Sequence, residues 1–197
     1  MKIDTYSYPK SSFLSVEKDL DVLINLIMKN DRLKKLLWYD TPDCLDKPSL
    51  TKEQSNLLIK NNKIRIIPKY YIDGNLYNGL VIKFTDFRPN GTNPEFRNNS
   101  IEFDIITSYD QWMLKDFEMR PYRIAAEIDS MLEKQRLTGI GQLDFMGATP
   151  IEIDDNYGGF CLMYNIIHGD EDKKDSLNPM TQEDIVKNFN QMFNNIK

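Results

Sequence analysis

The sequence predicts an α+β domain. It should be a largely antiparallel sheet of about five strands, packed with N-terminal helices and one middle helix, with a C-terminal extension carrying an amphipathic helix. Three observations lead there. Apolar residues recur at helical spacing up to about residue 61, then change to alternation after residue 64. Helical spacing returns once, after Arg120-Pro121, before alternation resumes. Beyond residue 168 the chain separates into a charged stretch and an apolar-periodic one. The expected organisation is an N-terminal arm over 1–14, the α+β domain over 15–168, a polar linker over 169–180 and a docking helix over 181–197.

Taken in order, Val16, Leu20, Leu23, Ile24 and Ile27 predict a first helix with Ser15 as N-cap. Asn30-Asp31 interrupts it, and Leu33, Leu36 and Leu37 line one side of a second helix over 32–39. Pro42 and Pro48 make 40–50 a loop. Thr51-Lys52-Glu53-Gln54 fits a capping box, in which a hydroxyl and an amide satisfy two orphan backbone donors. The third helix should run to about Asn61 and bury Leu57 and Leu58.

Residues 64–72 read as a strand, demoted to an edge or bulge by Pro68, with Asp73-Gly74-Asn75 turning the chain. A second strand follows over 80–87, with Ile82 and Phe84 opposite Val81, Lys83 and Thr85. Residues 88–99 read as a long polar loop. Ile101, Phe103 and Ile105 alternate with Glu102 and Asp104, as in a strand wet on one face. Pro121 suits the first turn of a helix whose buried stripe is Ile124, Ala125, Ile128, Met131 and Leu132. Leu143, Phe145, Ile151 and Ile153 mark a fourth strand, and Asp154-Asp155-Asn156 turns it into a fifth that lines up Phe160, Leu162, Tyr164 and Ile166.

Composition narrows the function. The chain has 197 residues, is 41% hydrophobic and carries a formal net charge of -5. That length buries a real core without staples. The acidic balance argues against coating nucleic acid, which takes clustered Lys and Arg. No run approaches the roughly 20 apolar residues of a membrane span, and residues 1–10 lack the apolar segment of a signal peptide. Cys44 and Cys161 are the two cysteines, so neither a disulfide framework nor a CxxC knuckle is predicted, and no metal or cofactor is expected. Scarce alanine (Ala125, Ala126, Ala148) reflects codon bias more than fold.

Candidate chemistry is thin. His168, at a strand end, is the single histidine, which removes the common zinc hydrolase constellations. No GxSxG elbow, P-loop or GxGxxG occurs. Cys161, between Phe160 and Leu162, reads as structural. Asp86, Glu95, Glu102 and Asp104 cluster near two strands and a loop, and carboxylates so placed can hold Mg²⁺ for phosphodiester cleavage. No lysine follows Glu102-Phe103-Asp104, so the solvated face of a strand is the favoured reading. Lys34 and Lys35 are expected on a helix surface, Lys173-Lys174 is offset by neighbouring acids, and Arg88 and Arg97 flank the loop.

The most informative segment is the last one. Ile185, Phe189, Met192, Phe193 and Ile196 fall at helical spacing. An isolated helix of that size is marginal in water, whereas burying five such side chains contributes at most roughly 7–15 kcal/mol before entropy. The linker spans up to about 40 Å when extended. Docking on another chain is therefore favoured over folding back.

Asn93-Pro94-Glu95-Phe96-Arg97, the stretch 101–112, the stretch 114–129 with Arg120-Pro121-Tyr122, and Gly147-Ala148 followed by Tyr157-Gly158-Gly159-Phe160 and Tyr164 resemble a group of tailed-phage proteins. These are the tail-completion, tail-terminator and head-to-tail joining proteins, nearest among them a neck ring protein of crAss-like phages. The resemblance covers residues 16–168 and implies a homo-oligomeric ring of six or twelve copies in the virion. The ring would touch the portal and other neck or tail proteins, and DNA would pass through it without specific binding. Composition and motifs agree with a protein that has no membrane partner and no enzymatic activity, and the resemblance implies a structural role and synthesis in the bacterial host cytoplasm. Its interface residues would be Ile185, Phe189, Met192, Phe193 and Ile196, with Arg88, Asn90, Asn93, Glu95 and Arg97 facing the lumen or the next ring. The rivals are a small metal-dependent nuclease using Asp86, Glu102 and Asp104, and a monomeric adaptor whose tail completes its own core.

Overall fold

Four helices, Ser12–Lys29 (α1), Asp31–Trp38 (α2), Lys52–Lys60 (α3) and Arg120–Leu132 (α4), pack on one face of a five-stranded sheet. The strands are Ile64–Arg65 (β1), Asn78–Pro89 (β2), Arg97–Ser108 (β3), Asp144–Asp154 (β4) and Tyr157–His168 (β5). The computed structural model describes residues 12–66, 77–89, 91–92, 97–132 and 143–168. The predicted α+β class and the predicted order of helices and strands are both found.

Sheet order is β1-β2-β3-β5-β4. β1 runs parallel to β2, and every other pairing is antiparallel. Period-two alternation places Leu80, Ile82, Ile101, Phe103, Ile105, Leu162, Tyr164 and Ile166 on the helix-covered face, against Leu23, Ile27, Leu33, Leu36, Leu37, Ile124, Ile128 and Leu132. Tyr77, Val81, Ile106 and Tyr157 form a second, smaller cluster.

Local chemistry explains the boundaries. The Asn30 side chain accepts from Leu33 N–H and caps α2. Thr51 and Gln54 form the expected reciprocal capping box on α3. At the far end of α3, Asn62 takes φ 60°, Lys63 N–H reaches Leu58 O at 2.8 Å and Asn62 N–H reaches Ile59 O at 3.1 Å. That is a Schellman closure with asparagine in the left-handed seat. Asp154 Oδ1 accepts from the Asn156 and Tyr157 backbone N–H groups and turns β4 into β5.

Several expectations change. α1 begins at Ser12, so Ser15 lies inside the helix and is not its N-cap. Leu58 is buried, but Leu57 is only half-buried. β1 is two residues long, and Pro68 lies outside the described residues. The loop expected over 88–99 is shorter, because cross-strand pairing carries β2 to Pro89 and starts β3 at Arg97. Lys34 is buried rather than surface-lying, its stem packed and its ammonium near Asp31. Asp104 is fully buried, so β3 is not wet along the whole of its second face.

One side chain ties the layers together. Arg120 is fully buried and donates to four carbonyls: Gln111 at 2.9 Å, Leu36 at 2.6 Å, Tyr39 at 2.9 Å and Thr41 at 2.9 Å. Lys63 Nζ covers Leu37 O at 2.9 Å and Trp38 O at 3.4 Å. The last carbonyls of α2 have no partner inside the helix, and two cations satisfy them at the end where the helix dipole favours positive charge. Asn78 Nδ2 bridges Asp40 (3.0 Å) and Gln111, joining β2 to the same knot.

Arg120→Met should strand these carbonyls at about 1–3 kcal/mol each. We expect a net loss of at least about 3 kcal/mol in urea denaturation, with Arg120→Lys recovering only a minority of it.

Candidate functional site

Alternation sends Val81, Lys83 and Thr85 of β2, Glu102 and Asp104 of β3, and Cys161 of β5 to the sheet face opposite the helix-packed core. Register then brings them together. Lys83 lies directly across from Glu102 and diagonal to Asp104, while Asp104 pairs with Cys161 on the other side. Lys83 Nζ sits 2.9 Å from Glu102 Oε2 and 2.6 Å from Asp104 Oδ2. Thr85 Oγ1 donates to Glu102 Oε1 at 2.9 Å. One ligand atom each from Glu102, Asp104 and Cys161 lie within 4.8 Å of one another.

The electrostatics follow from burial and charge. Desolvation alone would lower the Lys83 pKa, but hydrogen bonds to Asp104 and Glu102 outweigh it and hold the ammonium well above its ordinary value. Burial, then the Asp104 hydrogen bond, push the Cys161 thiol up to about 12. The thiol is therefore protonated at neutral pH, and the lysine acts as the resident cation between two carboxylates. Glu102 and Asp104 have the chemistry of a divalent-cation site, but a metal there would compete with Lys83 for the same oxygens.

Asp86 does not join this group. It takes φ 56° in a register break between Thr85 and Arg88, and it pairs with Arg88 Nη2 at 3.0 Å. By parity Asp86 follows Ile82 and Phe84 rather than Lys83 and Thr85, so alternation does not aim it at Glu102, and the register break sets it further apart. Lys83 is the residue the sequence pattern does not announce: along β3 an isoleucine, Ile105, follows Asp104, whereas the lysine is supplied across the ladder by β2.

The other predicted site residues separate. Arg88 is exposed beside Asp86. Arg97 and His168 are described as paired backbone positions at the ends of β3 and β5. Asn90, Asn93 and Glu95 lie outside the described residues, as do Ile185, Phe189, Met192, Phe193 and Ile196.

Apolar display is the second feature of the surface. Phe117 is 89% exposed, and both it and Asp116 take φ 61°. The loop that carries them is closed by a Met113–Met119 bridge and by Leu114 N–H to Glu118 O at 2.7 Å. Left-handed backbone at a bulky residue costs on the order of 1–3 kcal/mol, so the closed loop holds a conformation that local preference disfavours, with the ring in solvent. No glycine marks this loop, which is why the sequence gives no sign of it. Phe145 and Met146 on β4 are 53% and 63% exposed.

These features define a two-layer α+β protein that holds an internally ion-paired polar cluster and displays apolar side chains at its surface. The profile of the YomW family, named for a protein of a Bacillus phage region, matches residues 30–166. The chain belongs to the YomW family and is phage-related. The match runs from the cap of α2 into β5, so it contains the Arg120 knot and the Lys83 cluster. No curated protein matches the chain. Among the described residues, no helix is long and apolar enough to cross a membrane.

Lys83→Met should leave buried Asp104 uncompensated and destabilise the fold by about 3–5 kcal/mol, with Asp104→Asn in the same chain restoring part of the loss. The sign of the pH effect follows from the raised pKa. Stabilisation by Lys83 is complete below about pH 10, the unfolded value, and is lost as pH climbs further. Urea midpoints of the wild type should therefore fall above that pH, and those of Lys83→Met less steeply.

With a pKa near 12, Cys161 is thiolate to about one part in ten thousand at pH 8. Cys44 is fully buried and its pKa is likewise raised by burial. Ellman's reagent should label neither cysteine in the native protein within minutes and both in urea.

Proposed function

We propose that this chain is a structural subunit of a phage particle, forming a ring between the portal and the tail through which DNA passes, and that it carries no catalytic activity. The observation that carries this reading is the outward, backbone-enforced display of Phe117. An aromatic held in water at a conformational cost suits a contact to be buried by another protein. Membership of a phage-region family supports the setting. The acidic balance supports a surface that lets DNA slide without gripping it. At the loop end of the β2–β3 hairpin, Arg88 is offset by Asp86 and offers phosphate little net charge.

The nuclease reading draws on the Lys83, Glu102, Asp104 and Cys161 cluster. Against it stand full burial of Asp104 and the ammonium lodged between the carboxylates. Such a carboxylate has no room to bring a metal to a scissile phosphate. Incubation with plasmid DNA and Mg²⁺ or Mn²⁺ should give no cleavage, and cleavage abolished by Asp104→Ala would overturn the structural reading. Electron microscopy of the phage neck should place the chain in a closed ring. Its absence from mature particles would likewise refute the proposal.

A further inference from the structure

An apolar groove of about 350 Å³ runs between α1 and the α3–β1 edge, lined by Leu20, Ile24, Ile59, Ile64 and Ile66, with Asp21 and Arg65 at its rim. Ile59 and Ile66 stand 44% and 51% exposed. Among the described residues β1 is the outermost strand on this side of the sheet, and the groove lies along it. Its size suits two or three large side chains rather than a small polar ligand.

We infer that this groove is the seat for the C-terminal amphipathic segment of an adjacent copy, with Phe189, Met192 and Phe193 as its anchors. The inference rests on the ring reading above and specifies one contact within it. Two arguments select this occupant. The segment supplies the missing chemistry, since large apolar residues at helical spacing fill a groove as a one-sided helix does. Reach then favours a neighbour over the same chain. By register, His168 is level with Arg97 and Pro89 at one end of the sheet, whereas the groove flanks Ile64, level with Leu80, near the other. Eight residues along β3 and three strand spacings separate them, about 30 Å on the diagonal. Twelve residues, the length of the linker over 169–180, have a root-mean-square span of about 20 Å under random-coil statistics. Reaching the groove of its own chain would stretch it far toward its limit, while a neighbour presenting its β1 edge close to His168 would leave it relaxed. Such a head-to-tail contact repeats around an axis and closes into a ring.

The test uses two full-length variants, Ile59→Cys and Phe189→Cys, mixed under mild oxidation and resolved without reductant. A covalent heterodimer should form at least about tenfold more than in a control mixture of Asp110→Cys with Phe189→Cys, because docking raises the effective concentration of the pair. Ile59→Glu, at an exposed position, should leave the melting temperature unchanged while weakening self-association measured by sedimentation. Heterodimer yield equal to the control would overturn the groove as the seat. A doubly substituted chain that closes on itself at high dilution, with no heterodimer in the mixture, would overturn the adjacent copy as donor. Rings seen by electron microscopy without the selective cross-link would refute this contact and leave the ring reading standing. A selective cross-link in a closed two-fold pair would do the reverse.

Discussion

The C-terminal end of α2 is where the fold is decided. A short helix ending in the protein interior leaves carbonyls that neither water nor its own backbone can satisfy. Here Arg120 and Lys63, from two other elements, take up those carbonyls in a region that also holds Asp40, Asn78 and Gln111. Because the donors come from α4, the segment after α3, the turn before α4 and the start of β2, the knot fixes how the helical layer is rotated on the sheet. Removing one member exposes the others to desolvation, so the group behaves as a unit.

Above that knot the sheet has two faces of different character. The helix-covered face is apolar and continuous across β2, β3 and β5. The opposite face carries the Lys83 cluster, in which one ammonium is shared by two carboxylates within a few ångströms. The shared ammonium and the Thr85 hydroxyl give these polar residues partners of their own in the middle of a sheet. Tyr164, packed edge-on against Phe103, links the core face to α4 by donating its hydroxyl to Asp129 at 2.8 Å.

Element type and order were legible because periodicity and capping agreed locally: Leu33, Leu36 and Leu37 on α2, the Thr51–Gln54 box, the Ile124–Ile128–Leu132 stripe, and alternation through β3 and β5. What escaped depended on partners distant in sequence. Burial of Asp104 and its pairing with Lys83 require the β2–β3 register, which a reading along one strand does not contain. Arg120 looked like an ordinary residue before a helix-opening proline, since three of the four carbonyls it serves lie about eighty residues earlier. Asp86 read as a strand carboxylate because nothing in its neighbours announces a bulge. Phe117 was silent for the same reason: asparagine or glycine would have signalled left-handed backbone, and phenylalanine does not.

Among the described residues β4 is an edge strand eleven residues long, and it is interrupted by a left-handed Gly147 at φ 151°, by Pro150 and by a second register slip before Asp154. A straight border of that length would template endless lateral addition of like molecules, the route by which crowded chains precipitate as fibres. The kinks and the missing amide hydrogen leave no uniform stretch to copy, so growth through this border stalls and the protein stays available for contacts made by its side chains.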